Sequence, residues 1–295
     1  MATVTSADTA RTSPSTTAPY RPSAARRARL WVAKHFAMLA AITALVYLFL
    51  PVAYTLAFSF NDHGRSNIVW QGFTLEHWQD PCGVRGACES LATSLQVATI
   101  STVAATVLGT LMALAMVRYR YRGRSASNLL VFVPMATPEI VLGAALLAIF
   151  VQGFNNIGLD LGFWTIVFSH IMFCLSFVVV TVKARIQSLD PRIEEAAQDL
   201  YASPAQTFRT VTFPLILPGI LGAAMLAFSL SFDDFIITNF VSGNESTFPK
   251  FVYVASRRGI PAEANVIGFS MFVIAVLLVV GAQVVSSVRA NTHKE

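Results

Sequence analysis

Charge is what this chain has least of. Asp, Glu, Lys and Arg make up only 13% of its 295 residues, where a water-soluble domain carries about 25%. Apolar residues account for 55%, and the mean hydropathy is +0.59. They fall in blocks long enough to cross a bilayer, which takes roughly 20 residues per helix. A soluble globular enzyme is excluded on that ground.

Other absences bear on chemistry. The sequence contains no Gly-x-x-x-x-Gly-Lys-Ser/Thr loop, so it does not hold ATP in a P-loop. It has no His-Glu-x-x-His and no Cys-x-x-Cys, and neither a catalytic set nor a metal site is expected. The five histidines are scattered. His170 alone falls inside an apolar block; it reads as a hydrogen-bonded packing residue, with a proton relay as the alternative. Of the three cysteines, Cys174 reads as core. Cys82 and Cys88 share one loop, and their spacing permits a disulfide without requiring it.

What is present is a set of six apolar spans, over about 36–60, 91–117, 128–152, 162–182, 215–240 and 264–288. Residues 1–34 read as a disordered basic tail, too poor in apolar residues to fold alone. A transit presequence is the other composition-level option. With the N-terminus inside, 16 Lys and Arg fall in inner segments and 5 in outer ones, accounting for all 21. That bias places both termini in the cytoplasm, with an outer loop at 61–90 and a short inner tail at 289–295. The same bias explains the +5 net charge without nucleic acid, and the Arg118–Arg124 run reads as a membrane-flanking anchor.

The longest inner loop, 183–213, is the most informative. Asp190 and Pro191 suit a helix start. Ile193, Ala196, Ala197 and Leu200 then share one helical face, and Glu195 and Asp199 share another. Ser203, Pro204 and Gln206 open a second helix as cap, first-turn proline and capping-box partner. The spacing predicts a helix over 191–200, a turn at 201–203 and a helix from 204. Two of the four apolar side chains are alanines, so another surface can approach closely.

The segment Glu195-Ala-Ala-Gln-Asp-Leu-Tyr-Ala-Ser-Pro204, with Thr207–Pro214 and Leu217-Pro-Gly219, resembles the EAA loop of ABC importer permeases of the type I fold. The stretches from Leu161 to Val182, Ser229 to Phe235 and Phe240 to Gly243 are similar to spermidine/putrescine permeases, in particular their second permease subunit. The resemblance implies an all-α permease of six transmembrane helices in the cell membrane. It implies a second homologous permease, two copies of an ABC ATPase carrying the ATP and Mg, and an extracytoplasmic polyamine-binding protein. Its coupling element corresponds here to Glu194, Glu195, Ala196, Ala197, Asp199, Leu200, Tyr201, Ala202, Ser203 and Pro204. The family pattern has Gly where this chain has Tyr201. Either the turn avoids the left-handed conformation that Gly allows, or the loop carries strain.

Acidic residues sit where they are costly. Glu139, Asp233 and Asp234 lie within spans, where a carboxylate costs about 2.5–3.5 kcal/mol on insertion scales. No Lys or Arg lies deep in any span. With Phe232 and Phe235 beside them, these acids suit an organic polycation pathway. Adjacent residues on a helix point about 100° apart, so Asp233 and Asp234 face one point only if the helix breaks there. Pro134 and Pro138 are expected to kink the third span. Outside, 248–258 is expected to form a short helix before Gly259, with Arg257 and Arg258 as rim contacts for the binding protein. Two rival functions stay open: an importer permease for another small solute, and a secondary transporter using the acids as an ion relay.

Overall fold

The computed structural model describes residues 23–62, 68–155 and 160–292. Of the expected tail, residues 1–22 lie outside them. Among the described residues the chain is helical, with one isolated bridge between Asn61 and Phe73. Five helices are long and apolar enough to cross a membrane, or six if one bent pair counts as a single span.

The chain divides into two units, up to Tyr54 and from Thr55 onward. The first is most of α1 (Ala24–Phe58), which begins ahead of the expected 36. Its large apolar side chains, including Trp31, Phe36, Leu39 and Tyr47, are exposed. A helix apolar on all sides is one bounded by lipid or by other chains.

In the second unit, the centre is α3 (Ala87–Arg118) packed against α6 (Phe163–Gln187). The reason is visible in side-chain size. Ser94, Ala98, Ser101, Ala105, Gly109 and Ala113 recur at three- to four-residue spacing, and all are buried. Small residues let membrane helices approach closely. A Cβ on Gly109 would lie 2.6 Å from Val178 Cγ1. Ser101 donates to the Val167 carbonyl at 3.2 Å. α9 (Phe213–Asp233) completes the core against both helices through Ala223 and Ala227, and the buried Cys174 lies 3.4 Å from the Ala227 carbonyl.

The third expected span is broken. α4 (Arg124–Ala136) and α5 (Glu139–Asn155) meet at 108°. The break falls at Thr137–Pro138, while Pro134 is accommodated inside α4. Pro138 offers no N–H to continue the ladder. Thr137 Oγ1 donates to the Val133 carbonyl at 2.6 Å, beside the Thr137 N–H that reaches the same carbonyl at 3.0 Å.

The inner loop contains α7 (Arg192–Asp199) and α8 (Pro204–Thr207). Ser203 caps α8 as expected, its hydroxyl accepting from the Gln206 N–H at 3.3 Å. The second helix runs on past Pro214. A π-helical turn, Phe208–Thr212, joins α8 directly to α9.

The end of the molecule opposite the 183–213 loop is tied by polar and aromatic contacts. α2 (Glu76–Gln79) sends Trp78 onto Phe60 and Phe269, and His77 Nδ1 lies 3.1 Å from Glu263 Oε1 on α12 (Ala262–Thr292). Cys82 and Cys88 are joined as a disulfide.

Candidate functional site

Span five breaks at its acidic pair. α9 ends at Asp233, and α10 (Ile236–Val241) starts after Asp234 and Phe235. The break gives the two carboxylates separate surroundings. Asp234 is 8% exposed. It accepts from the Thr238 N–H at 2.8 Å, the Thr238 hydroxyl at 2.9 Å and the Ile237 N–H at 3.3 Å. It therefore satisfies the first N–H groups of α10, which an interrupted helix leaves without partners.

His170 holds this break from the side. Its Nδ1 is 2.7 Å from Ser231 Oγ, on α9. Its Nε2 is 3.0 Å from Thr238 Oγ1 on α10 and 3.2 Å from Asp234. One imidazole on α6 thus touches the chain before, at and after the interruption. The expectation of a packed, hydrogen-bonded His170 is met. Its role as a brace across a break was not visible in the sequence.

Asp233 is exposed. With Phe232 it lines an open pocket of about 560 Å³ whose other walls are Phe248, Pro249, Val252, Tyr253, Ser256, Gly268 and Met271. Among the described residues, Asp233 is the one carboxylate in that lining, and no Lys or Arg belongs to it. Phe228 stacks on Phe232 at 6.0 Å, and Phe235 packs on Tyr253 at 4.2 Å.

Glu139 opens α5 at the other break. α5 packs on α10, where a Cβ on Gly143 would approach Phe240 to 2.7 Å. This contact places Glu139 within electrostatic range of Asp234 and Asp233. The two interruptions, in spans three and five, are therefore neighbours. Interrupted backbone at membrane depth is tolerated where protein or a water-filled cavity surrounds it.

Between α10 and α12, α11 (Phe248–Ser256) forms where a short helix was expected, and Gly259 follows at φ 97°. Arg257 donates to the Tyr253 hydroxyl at 2.8 Å and sits 5.2 Å from that ring's centre. It thereby reaches the pocket wall through Tyr253. No such link is seen for Arg258, which is exposed. Lys250 plays a part that its sequence position did not suggest. Its ammonium donates to Ser242 Oγ and to the Gly243 and Glu245 carbonyls at 2.7, 3.2 and 2.9 Å. Burial pushes its pKa down, and the Glu245 charge offsets part of that.

In the 183–213 loop, Glu194 of α7 faces its own chain. It makes a two-pronged ion pair with Arg118 at the end of α3 and accepts from Thr212 Oγ1 at 2.7 Å. Burial raises its pKa, but the hydrogen bonds from Arg118 and Thr212 and the Arg118 charge outweigh that, so its carboxyl is held below the ordinary value. A depressed folded-state pKa gives stability that is present above the unfolded value and lost as pH falls through the folded one. Hydrogen exchange across α7 is therefore expected to accelerate, relative to the core of α3, as pH falls below about 4. Unchanged relative protection down to pH 3 would contradict the assignment.

Glu195, Ala196 and Asp199 are exposed, Ala197 is half-buried, and Leu200, Ala202, Ser203 and Pro204 follow around the turn. Tyr201 adopts φ 63°, the left-handed region. The strained alternative of the two expected for this turn is the one observed.

Two broken spans with carboxylates at their breaks, and a loop that ties α7 to α3 and to the entry of α9, define a membrane transport subunit. The chain belongs to the family described as binding-protein-dependent transport system inner membrane component, matched over residues 105–292. It is a transport subunit and not an enzyme. It is 36% identical over 249 residues to the spermidine/putrescine transport system permease protein PotC of Escherichia coli (strain K12), covering 83% of this chain and 92% of that protein. It is 34% identical over 223 residues to the putrescine transport system permease protein PotI of the same strain, covering 74% and 79%. A bacterial ABC transporter involved in the import of the acidic polysaccharide alginate shares the fold, with a TM-score of 0.67, 17% identity and coverage of 88% of this chain and 96% of that one.

Proposed function

We propose that this chain is a permease subunit of an ATP-driven importer that carries polyamines into the cell. The observation that carries this reading is the pocket at the span-five break. It offers one exposed carboxylate, Asp233, among Phe232 and Tyr253, with no basic group in its wall. An exposed carboxylate on a membrane helix is too costly to face lipid, so Asp233 and Glu139 face the pathway. Alternating ammonium and methylene groups match alternating carboxylate and aromatic surfaces. The relatives named above for spermidine and putrescine transport support the same substrate class.

In this assignment Asp233 contacts the polycation, Glu139 contributes a second negative charge, and Asp234 builds the break without meeting substrate. Phe232 forms the wall, and Phe235 backs Tyr253. The chain lies in the cell membrane with both termini inside. It pairs with a second permease to enclose the pathway. Two ATPase copies, holding ATP and Mg, dock on the inner loops. A binding protein delivers polyamine at the outer face, where Arg257 and Arg258 form part of the rim.

The test is ATP turnover by the reconstituted complex with putrescine, spermidine or spermine and the loaded binding protein. At least one polyamine is expected to raise turnover several-fold over the unloaded state. Stimulation by none of the three would overturn the substrate assignment.

A further inference from the structure

Lys183, where α6 enters the 183–213 loop, has a neutral partner. Its ammonium donates to Asn128 Oδ1 on α4 at 2.6 Å. An ammonium carries three donors, and among the described residues no carboxylate pairs with this one. Lys183 and Asn128 line a cavity of about 180 Å³ between α3, α4 and α6. Gln187 is the other polar side chain there, no acid belongs to the lining, and the remaining walls are apolar, among them Met116, Val131 and Val180.

The cavity continues along the same three helices. A second one, of about 330 Å³, adjoins it through Val131, which lines both. The lining moves by one turn, from Met116 to Met112 on α3 and from Val179 to Leu175 on α6. Leu130, Val133, Pro134 and Met172 complete it, with no charged side chain. Lys183 and Met172 are 11 residues apart, about 16 Å along a helix. One leaflet of a bilayer is of that depth, about half of a hydrocarbon core roughly 30 Å thick. The groove is therefore cationic at one end and apolar over a leaflet's depth. It is also open at the side, where Leu130 is 67% exposed.

Resting on the membrane placement above and on nothing about the substrate, we propose that this groove holds one anionic phospholipid, its phosphate on Lys183 and an acyl chain along Leu130, Val133 and Met172. Charge selects the headgroup. Arg120 and Arg122 lie in the connection between α3 and α4, and Arg124 opens α4 one turn before Asn128. Among the described residues none of the three forms an ion pair. Basic recesses between membrane helices on the cytoplasmic side suit anionic headgroups. A polyamine is repelled by these cations. A partner's apolar helix would cover the ammonium without neutralising it, which is costly, whereas a phosphate at the water boundary neutralises it. The lipid pins α4, the first half of the broken span three, onto α3 and α6.

The assembled complex, purified in detergent, is titrated with phosphatidylglycerol or with phosphatidylcholine of the same chains, and bound lipid is counted by native mass spectrometry. The wild type is expected to bind phosphatidylglycerol at least tenfold more tightly. Lys183→Gln and Asn128→Asp are each expected to abolish that preference. Asn128→Asp pairs the lysine in place, so its unfolding temperature is expected to stay level or rise, and its loss of lipid is then not a loss of fold. Equal binding of the two lipids by the wild type, or an unchanged preference in either variant, overturns the site. Displacement of the lipid by inorganic phosphate at equal concentration would reduce it to an anion site and overturn the lipid. Crosslinking of a Leu130→Cys variant to the second permease across the groove would place protein there and overturn it too. Recovery of the chain from the soluble fraction of lysed cells is a different result, and overturns the membrane placement itself.

Discussion

Asp233→Asn is expected to raise the apparent KM for polyamine uptake by roughly 10- to 100-fold while the complex still assembles. A hydrogen bond to a charged group contributes about 1.5–3 kcal/mol, and each 1.4 kcal/mol is a factor of ten. Asp233 is exposed in the pocket and is the one carboxylate lining it, so its neutral amide removes the charge and little else. Asp234→Asn is expected to fail differently. The carboxylate there accepts from two backbone N–H groups and a hydroxyl, and faces His170 at 3.2 Å in a buried site. Removing one partner of a buried charged network costs on the order of 3–5 kcal/mol. The expected outcome is a lower unfolding temperature and less assembled complex. Uptake kinetics and thermal stability measured side by side decide the matter. Asp233→Asn with wild-type KM would remove that residue from the pathway. Asp234→Asn with wild-type stability but lost uptake would exchange the two roles.

Reversing one charge of the Arg118–Glu194 pair is expected to lower uptake at least tenfold, and reversing both is expected to restore much of it. The pair is partly exposed, with side-chain exposures of 39% and 17%. Such pairs add at most about 1 kcal/mol to stability, so the effect anticipated here is mechanical. Glu194 connects α7 to the end of α3 through Arg118 and to the entry of α9 through Thr212. A push on α7 therefore reaches two core helices directly. Arg118→Glu or Glu194→Arg replaces that attachment with repulsion and should separate ATP hydrolysis from uptake. The double exchange recreates a pair of reversed polarity. Single variants that transport normally, or a double variant no better than the singles, would show that the pair transmits nothing.

The spans were readable because hydropathy over twenty residues needs no knowledge of neighbours. The cap at Ser203 was readable because turn chemistry is local, whereas the left-handed position at Tyr201 was left open between two alternatives, because a tyrosine carries no local signal for it. Contacts between distant residues were not. Arg118 and Glu194 are 76 positions apart, and His170 and Ser231 are 61 apart. No periodicity links such pairs. Hydropathy also treats a broken helix and a continuous one alike, so the interruptions at Pro138 and Asp234 were hidden inside spans of correct length. The proline signal pointed at a kink in span three but did not choose between Pro134 and Pro138. The adjacent carboxylates of span five hinted that only a break would let both serve one site. The break instead gave them separate surroundings.

The π-helical turn at Phe208–Thr212 works as a phase shifter. A π turn closes its hydrogen bond one residue later than an α turn, and one residue is worth about 100° of rotation around a helix axis. The inner loop and span five are thus one rod whose two ends are offset in angle by that extra residue. The offset is built into the chain's own backbone. Thr212 lies at its last residue, where it meets Glu194. Side chains before and after the turn therefore take bearings that differ by the rotation a single inserted residue adds.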